Sequence, residues 1–270
     1  MSESELRDHL RRMENFVPVK DITNEVDQSR FLIVGDIHGC SEELFDLLDR
    51  LEFDYDHSVL ISVGDLTDRG PYSDLVLSTL LDGKVKRFYS VQGNHDDKLI
   101  RYCKGNNVKI SHGLDRTLQR IASSLKPNML ERPEVNNYFK DLILNKLAAT
   151  PYILKVYNSY IVHAGFNPKF GIYEQKKEDC LFMRYFGGQD YFDEVNGRYW
   201  ADLWGESMPT VFCGHNVKMC DYIRYRSNGS ILTCNLDGGC TFGGELRIYD
   251  SRDKKVHTIE ARQEYSQLHS

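Results

Sequence analysis

Short apolar runs alternate with helical stripes along the first third of the chain, and each run ends in glycine or a polar cluster. Phe31-Leu-Ile-Val34 is uninterrupted and stops at Gly35, the pattern of a strand buried on both faces. Ser41 then reads as an N-cap, with Glu42 and Glu43 at the positive end of a helix dipole. Leu44, Leu47, Leu48 and Leu51 follow at helical spacing. Residues 59–63 form a second apolar run ending in Gly64-Asp65, and residues 72–81 a second helical stripe. Residues 85–91 are a third strand, running into Gly93-Asn94-His95. This β-α-β-α-β order predicts neighbouring parallel strands. In open sheets of that kind ligands collect outside the carboxyl ends of strands, where all three polar clusters fall.

After His95 the pattern changes. Residues 96–103, 113–125 and 134–149 read as helices, broken by Lys104-Gly-Asn-Asn107 and by the loop around Pro127 and Pro133. The stretch from about 104 to 150 is expected as a helical insertion beside the sheet. From Tyr152 onward strands dominate, at 152–156, 159–163, 210–213, 221–226, 230–235 and 245–249, and two of these runs end at His163 and at Gly214-His215. A parallel half followed by a strand-rich half predicts two sheets packed as an α/β sandwich. One domain over residues 29–262 is expected, with an extension at 1–28 and a tail at 263–270 as loose ends.

Composition narrows the picture. A chain of 270 residues with 41% hydrophobic content can bury a full core. A net charge of −6 argues against coating nucleic acid by bulk positive charge, so extended duplex is not an expected partner. The seven cysteines are odd in number and none forms a C-x-x-C pair, which reads as reduced buried thiols rather than a disulfide framework or zinc knuckle. Cys40, beside a polar cluster, reads as a small buried hydrophobe in preference to a reactive thiol. Residues 1–27 are charged, with no apolar signal core, and no run approaches the ~18 apolar residues of a membrane span. A reducing cytoplasm is the expected compartment.

Candidate chemistry lies in five clusters: Gly35-Asp36-Ile37-His38-Gly39, Gly64-Asp65-Leu66-Thr67-Asp68-Arg69-Gly70, Gly93-Asn94-His95-Asp96, His163-Ala164-Gly165 and Gly214-His215. Each sets a metal-ligand type beside glycine, which lets the backbone turn sharply and approach an ion or an anion. In this order they resemble the phosphoprotein-phosphatase branch of the calcineurin-like metallophosphoesterases, over about residues 30–250. The segments GNHDDKLIRYCKGNNVKISHGL and NLDGGCTFGGELRIYD resemble its bacterial subgroup. That subgroup holds symmetrical diadenosine tetraphosphate hydrolases, small bacterial and phage protein phosphatases, and the phosphatase module of polynucleotide kinase–phosphatase. The last is the nearest resemblance, although no phosphate-cradling G-x-x-x-x-G-K-[ST] loop is present.

The resemblance implies a four-layer α/β/β/α sandwich holding two divalent ions. Asp36 and His38 would hold the first, Asp65 would bridge both, and Asn94, His163 and His215 would complete the second. Mixed oxygen and imidazole donors suit Mn²⁺, with Fe, Zn²⁺ or Ni²⁺ as alternatives. Such a pair lowers the pKa of a shared water to about 7 and makes it a nucleophile toward phosphorus. His95 would protonate the leaving oxygen, oriented by Asp68; Arg69 and Asn94 would grip phosphate oxygens. A second phosphate-gripping arginine is expected at Arg184, with Arg198 as the other candidate.

Outside the clusters, His9, His57, His257 and His269 read as surface residues. His112 reads as surface or substrate-facing, and Asp237 as a turn residue or an orienter of a ligand histidine. The aromatic stretch 182–204 fits core packing or nucleobase stacking. The expected substrates lean to nucleotide or RNA-end phosphoesters: a 2′,3′-cyclic or terminal phosphate, or a dinucleoside tetraphosphate. A serine/threonine phosphoprotein is close behind. A non-catalytic scaffold is disfavoured, because every ligand position occurs together with Asp68, Arg69 and His95.

Overall fold

The computed structural model describes residues 16–26, 30–122, 133–217 and 222–267. Pro127, Cys220, His9, His269 and the expected helical residues 123–125 lie outside them. The expected β-α-β-α-β unit forms. Strands β2 (Phe31–Val34), β3 (Val59–Ser62) and β4 (Arg87–Ser90) pair in parallel, linked by α2 (Ser41–Arg50) and α3 (Ser73–Leu81). Antiparallel β12 (Glu245–Asp250) and β13 (Lys255–Glu260) extend this five-stranded sheet beyond β2.

The second sheet has six strands in the order β1 (Val19–Asp21), β5 (Ile153–Val156), β6 (Ser159–Val162), β9 (Thr210–Cys213), β11 (Ile231–Asn235) and β10 (Ile223–Tyr225). Here β6, β9 and β11 run parallel. Strand alternation sends neighbouring side chains into different cores. Leu32, Val34 and Leu60 pack under α2 and α3, while Ile33 and Ile61 face Leu154, Ile161 and Phe212 between the sheets. Tyr160, Val162 and Val211 point away, into a third core with Phe166, Trp200 and Trp204. Three cores between four layers give the α/β/β/α sandwich expected.

The insertion packs beside the sheet as expected, and there it completes the outer helical layer. In α5 (Leu114–Ile121), Leu114, Thr117, Leu118 and Ile121 are buried at helical spacing, and Leu118 joins the core under α2 and α3. Helix α6 (Asn137–Asp141) runs into a π turn at Leu142–Lys146 and a 3₁₀ turn at Leu147–Ala149, all one continuous rod.

Three expectations are corrected. Ser41 is the first residue of α2, and the cap position is Cys40, without a side-chain cap. Residues 16–26 are not loose: β1 pairs with β5, and Ile22 and Val26, the latter in α1 (Thr23–Val26), are fully buried. Nor is the stretch 263–267, since the Tyr265 hydroxyl donates to Glu43 at 2.6 Å and both Tyr265 and Ser266 N–H donate to Thr241 O. Strands β1 and β13 escape the periodicity because both are edge strands with few buried positions.

Candidate metal and phosphate site

Six strand ends converge at one edge of the sandwich. From one sheet, β2, β3 and β4 deliver Asp36, Asp65 and Asn94; from the other, β6, β9 and β11 deliver His163, His215 and Asp237. Hydrogen bonds stitch the two sets together. His163 Nδ1 donates to Val63 O at 2.9 Å, and the His215 N–H is shared between both Asp36 oxygens at 3.2 Å.

Two glycines make the approach possible. A Cβ on Gly93 would sit 2.0 Å from Asp65 Oδ1, and one on Gly214 would sit 1.9 Å from Asp36 Oδ1. The loops are strained as well as tight. His38, Asp65, Asp68, Arg69 and His215 all have φ between 47° and 73°, a region that costs side-chain-bearing residues of order 1–3 kcal/mol each. Strain concentrated at these residues marks the site as functional.

Asp65 is central. It is fully buried, and its Oδ2 lies 3.4 Å from His38 Nε2 and 3.5 Å from His163 Nε2. Its Oδ1 accepts the His95 N–H at 2.9 Å. Donor atoms of His38, Asp65 and His95 lie within 4.8 Å of one another, as do those of Asp36, Asp65 and His163, so Asp65 is common to both groups.

The donor set fits cations. With Nδ1–H committed to Val63 O, His163 Nε2 is a bare lone pair, yet it faces Asn94 Oδ1 at 2.9 Å. Burial pushes His163 down to about 4, so at neutral pH no proton separates the two acceptors. His215 Nδ1 approaches the same oxygen at 3.0 Å, and its Nε2 is buried without a partner. The carboxylates tell the same story. Burial, then the charges of Asp237 and Asp65, push Asp36 well up, and burial lifts Asp65 to about 7. Divalent cations in this cluster, where Asp36, His38, Asp65, Asn94, His163 and His215 are the candidate ligands, would relieve both conflicts.

Beside this cluster His95 Nδ1 donates to Asp68 Oδ2 at 2.8 Å, which leaves Nε2 as its other nitrogen for proton transfer. Burial lifts Asp68 to about 7 and, with the Arg69 charge, pushes His95 well down. Arg69 donates to His38 Nε2 at 2.6 Å and stacks over Phe242. Arg184 donates to His215 O at 2.9 Å and stacks over Phe192. Arg198 is exposed on β8 (Arg198–Tyr199), away from the cluster, so of the two candidates only Arg184 reaches it. A cleft of about 420 Å³ opens beside the cluster, lined by Arg69, His112, Arg116, Arg184, His215 and Phe242 among others.

Asp237 takes the turn role: its carboxylate accepts the Gly239 N–H at 3.0 Å, and it adds negative charge beside Asp36 instead of hydrogen-bonding a histidine. His57 is exposed against Asp54, and His257 pairs with Asp253. Of the aromatic stretch, Tyr199, Trp200 and Trp204 are core, whereas Phe182 and Phe192 flank the His215 ring.

Sequence reasoning assigned no role to several further residues. Asp96 accepts from the backbone N–H groups of Gly93, Asp65 and Leu66, tying two clusters together; its place three residues after Gly93, the capping-box position, was the signal. Thr117 Oγ1 donates to Asp68 Oδ1 at 2.8 Å from the insertion, with no motif to announce it. Arg116 reaches the cleft from the same helix, also unannounced.

Buried carboxylates and imidazoles at converging strand ends of an α/β/β/α sandwich, with arginines over them, define a metallophosphoesterase. Residues 29–229 match the calcineurin-like phosphoesterase family, and the chain belongs to it. It is a phosphoester hydrolase. It is 32% identical over 251 residues to the asymmetrical bis(5′-nucleosyl)-tetraphosphatase PrpE of Halalkalibacterium halodurans, covering 87% of this chain and 95% of that protein. To the PrpE of Oceanobacillus iheyensis it is also 32% identical, over 86% of this chain and 93% of the relative. Among solved structures, a candidate diadenosine tetraphosphatase superposes with a TM-score of 0.71 at 25% identity, covering 91% of this chain and 98% of that one. A yeast protein serine/threonine phosphatase shares the fold, with a TM-score of 0.57 at 13% identity and coverage of 95% and 88%. Among the described residues no helix is long and apolar enough to cross a membrane.

Proposed function

We propose that this protein hydrolyses dinucleoside tetraphosphates, with two divalent ions, Mn²⁺ in the first instance. Asp36, His38 and Asp65 would hold one ion, and Asp65, Asn94, His163 and His215 would hold the other. When bound, such a pair neutralises phosphate charge and acidifies a water enough to attack phosphorus. The remaining roles belong to the chain. Arg69 and Arg184 orient the scissile phosphate through their planar donor forks. His95, held by Asp68 and protonated once an anionic phosphate lies against it, gives the Nε2 proton to the departing phosphate oxygen.

The observation that carries the substrate assignment is the convergence of Arg69, Arg116 and Arg184 on one cleft beside the cluster, against an overall acidic chain. A single phosphoester needs one or two such forks; a polyphosphate chain uses all three. Phe192, half exposed beside His215 and stacked on Arg184, offers a ring face to a nucleobase. The tetraphosphatase relatives support the same assignment.

The test is a parallel assay of diadenosine tetraphosphate, a 2′,3′-cyclic nucleotide and a phosphoserine peptide at equal enzyme with Mn²⁺, products resolved by ion exchange. Diadenosine tetraphosphate should give the highest kcat/KM, with ATP and AMP as products if cleavage is asymmetrical and ADP alone if symmetrical. A peptide kcat/KM exceeding it by tenfold, about 1.4 kcal/mol of transition-state preference, overturns the assignment in favour of a phosphoprotein phosphatase.

A further inference from the structure

Behind the phosphate site, three buried side chains meet that the hydrolytic machinery does not use. Cys40 and Glu43 are fully buried and Cys240 is 2% exposed, and their donor atoms lie within 4.8 Å of one another. Cys40 and Glu43, three residues apart, share one face of the first turn of α2, while Cys240 comes from the loop between β11 and β12. Fold topology alone brings them together; no C-x-x-C spacing announces them.

The carboxylate is half satisfied. Glu43 Oε1 accepts the Arg262 N–H at 3.0 Å and the Tyr265 hydroxyl at 2.6 Å. Its Oε2 is buried with no partner. A buried carboxylate oxygen without a donor is costly and rare, and thiols donate only weakly. One oxygen fixed by two donors and the other bare beside two sulfurs is how outer hydrogen bonds orient a metal-binding carboxylate.

We propose that Cys40 Sγ, Glu43 Oε2 and Cys240 Sγ bind a thiophilic divalent cation, Zn²⁺, at a site separate from the phosphate centre. Two sulfur donors exclude the hard ions Mg²⁺ and Ca²⁺. Donors at roughly 2.0–2.3 Å from zinc sit about 3.5–3.9 Å apart, so the cluster closes by about 1.3 Å at most on binding. Each thiol loses its proton to solvent as its sulfur–metal bond forms, two protons for one cation. Three protein donors are one short of a closed tetrahedron, and the fourth place falls to water. The ion would brace the turn following Asp36 and His38 to the loop following Asp237 and, through Glu43, to residues 262–265. The site stands independently of the substrate assignment.

The test uses the full-length protein purified without chelator. A mercurial thiol reagent should release about one equivalent of zinc per chain, read with a chromogenic chelator, because the phosphate centre contains no thiolate. Loading with Co²⁺ should give a thiolate-to-cobalt charge-transfer band in the near ultraviolet. That band should be lost in Cys240→Ser and in Cys40→Ser, and kept in Asp36→Asn, which disturbs only the other cluster. Absence of the band in Co²⁺-saturated parent protein, or its persistence in a folded Cys240→Ser variant, overturns the proposal. The zinc-release count needs no variant, so it decides the matter even if both serine variants fail to fold: release of no zinc from zinc-supplemented protein also overturns it.

Discussion

Gly214→Ala is the sharpest probe of how the site is built, because the structure sets its magnitude. The added methyl would lie 1.9 Å from Asp36 Oδ1 and 2.8 Å from Val63 Cγ2. Close carbon–oxygen contacts in proteins settle at roughly 3.3–3.6 Å, so the carboxylate must give way by about 1.4 Å. Asp36 has little room to do so. It is 3% exposed, and both its oxygens already accept the N–H of His215, the residue after Gly214. The displacement therefore moves a candidate metal ligand by more than an ångström, and a misplacement of that size costs about 10²-fold in rate. That corresponds to about 2.7 kcal/mol in the barrier. Folding should suffer less, by about 1–3 kcal/mol, as for other overpacked sites.

The assay is kcat/KM on p-nitrophenyl phosphate with Mn²⁺, with metal content and thermal melting measured on the same preparation. Gly205→Ala is the control, since a Cβ there meets nothing within 4 Å, and it should match the parent. A folded Gly214→Ala protein with parental kcat/KM and parental metal content would refute the reasoning, because Asp36 would then be displaced without consequence.

Three further outcomes are expected. Chelation should abolish activity and Mn²⁺ should restore it best, while Asp65→Asn should lower metal content more than any other single ligand change, because Asp65 is shared by both donor groups; full activity in either case refutes the two-ion reading. His95→Ala should keep its metal yet lose about 10²–10⁴-fold on esters with poor leaving groups and less on p-nitrophenyl phosphate; equal losses on both would remove it as the general acid, and lost metal would make it a ligand. Arg30→Ala should cost about 3 kcal/mol in urea melts at pH 7, since Arg30 donates to both oxygens of the buried Asp250. Burial raises the Asp250 carboxyl, but the Arg30 hydrogen bonds, the Arg252 N–H and the charges of both arginines together outweigh it, leaving the group below its ordinary value. A depressed acid contributes stability above its unfolded pKa of about 3.9 and loses it as pH falls through the folded value, so the Arg30→Ala deficit should narrow below about pH 4; a deficit constant with pH contradicts this.

The parallel core was legible because its strands are buried on both faces, and Leu32, Ile33, Leu60 and Ile61 have no polar neighbours to confuse the period. Strands β1 and β13 were not, because an edge strand buries too few residues to leave a periodic trace. The terminal segments were misread for a related reason. Ile22 and Tyr265 anchor their segments through single buried side chains and hydrogen bonds to distant backbone, which leave no pattern in a short window. Histidine and aspartate ligand types were visible because each follows a strand beside glycine. Glu43, by contrast, looked like an ordinary first-turn acid and proved fully buried.

The same division explains why the reaction class was readable and the substrate much less so. The atoms proposed to meet phosphorus follow strand ends, where sheet register brings them together and the motif letters survive. The atoms proposed to meet the rest of the substrate come from elsewhere. Arg116 rides on α5 of the insertion and donates to the backbone oxygens of Arg69 and Tyr265; Phe192 sits in the 182–204 stretch; Ser266 and Gln267 close the cleft from the C-terminal side. Three segments remote in sequence meet only through the packing of the outer layer, so no local window carries their meaning. On the proposed reading, it is this wall rather than the strand ends that selects a polyphosphate over a phosphopeptide. Arg116→Ala should accordingly lower kcat/KM for diadenosine tetraphosphate by about tenfold or more, as expected for loss of one charged hydrogen-bond donor, and leave p-nitrophenyl phosphate within about twofold. Equal losses on both substrates would place Arg116 in the support of Arg69 rather than in the recognition of the chain.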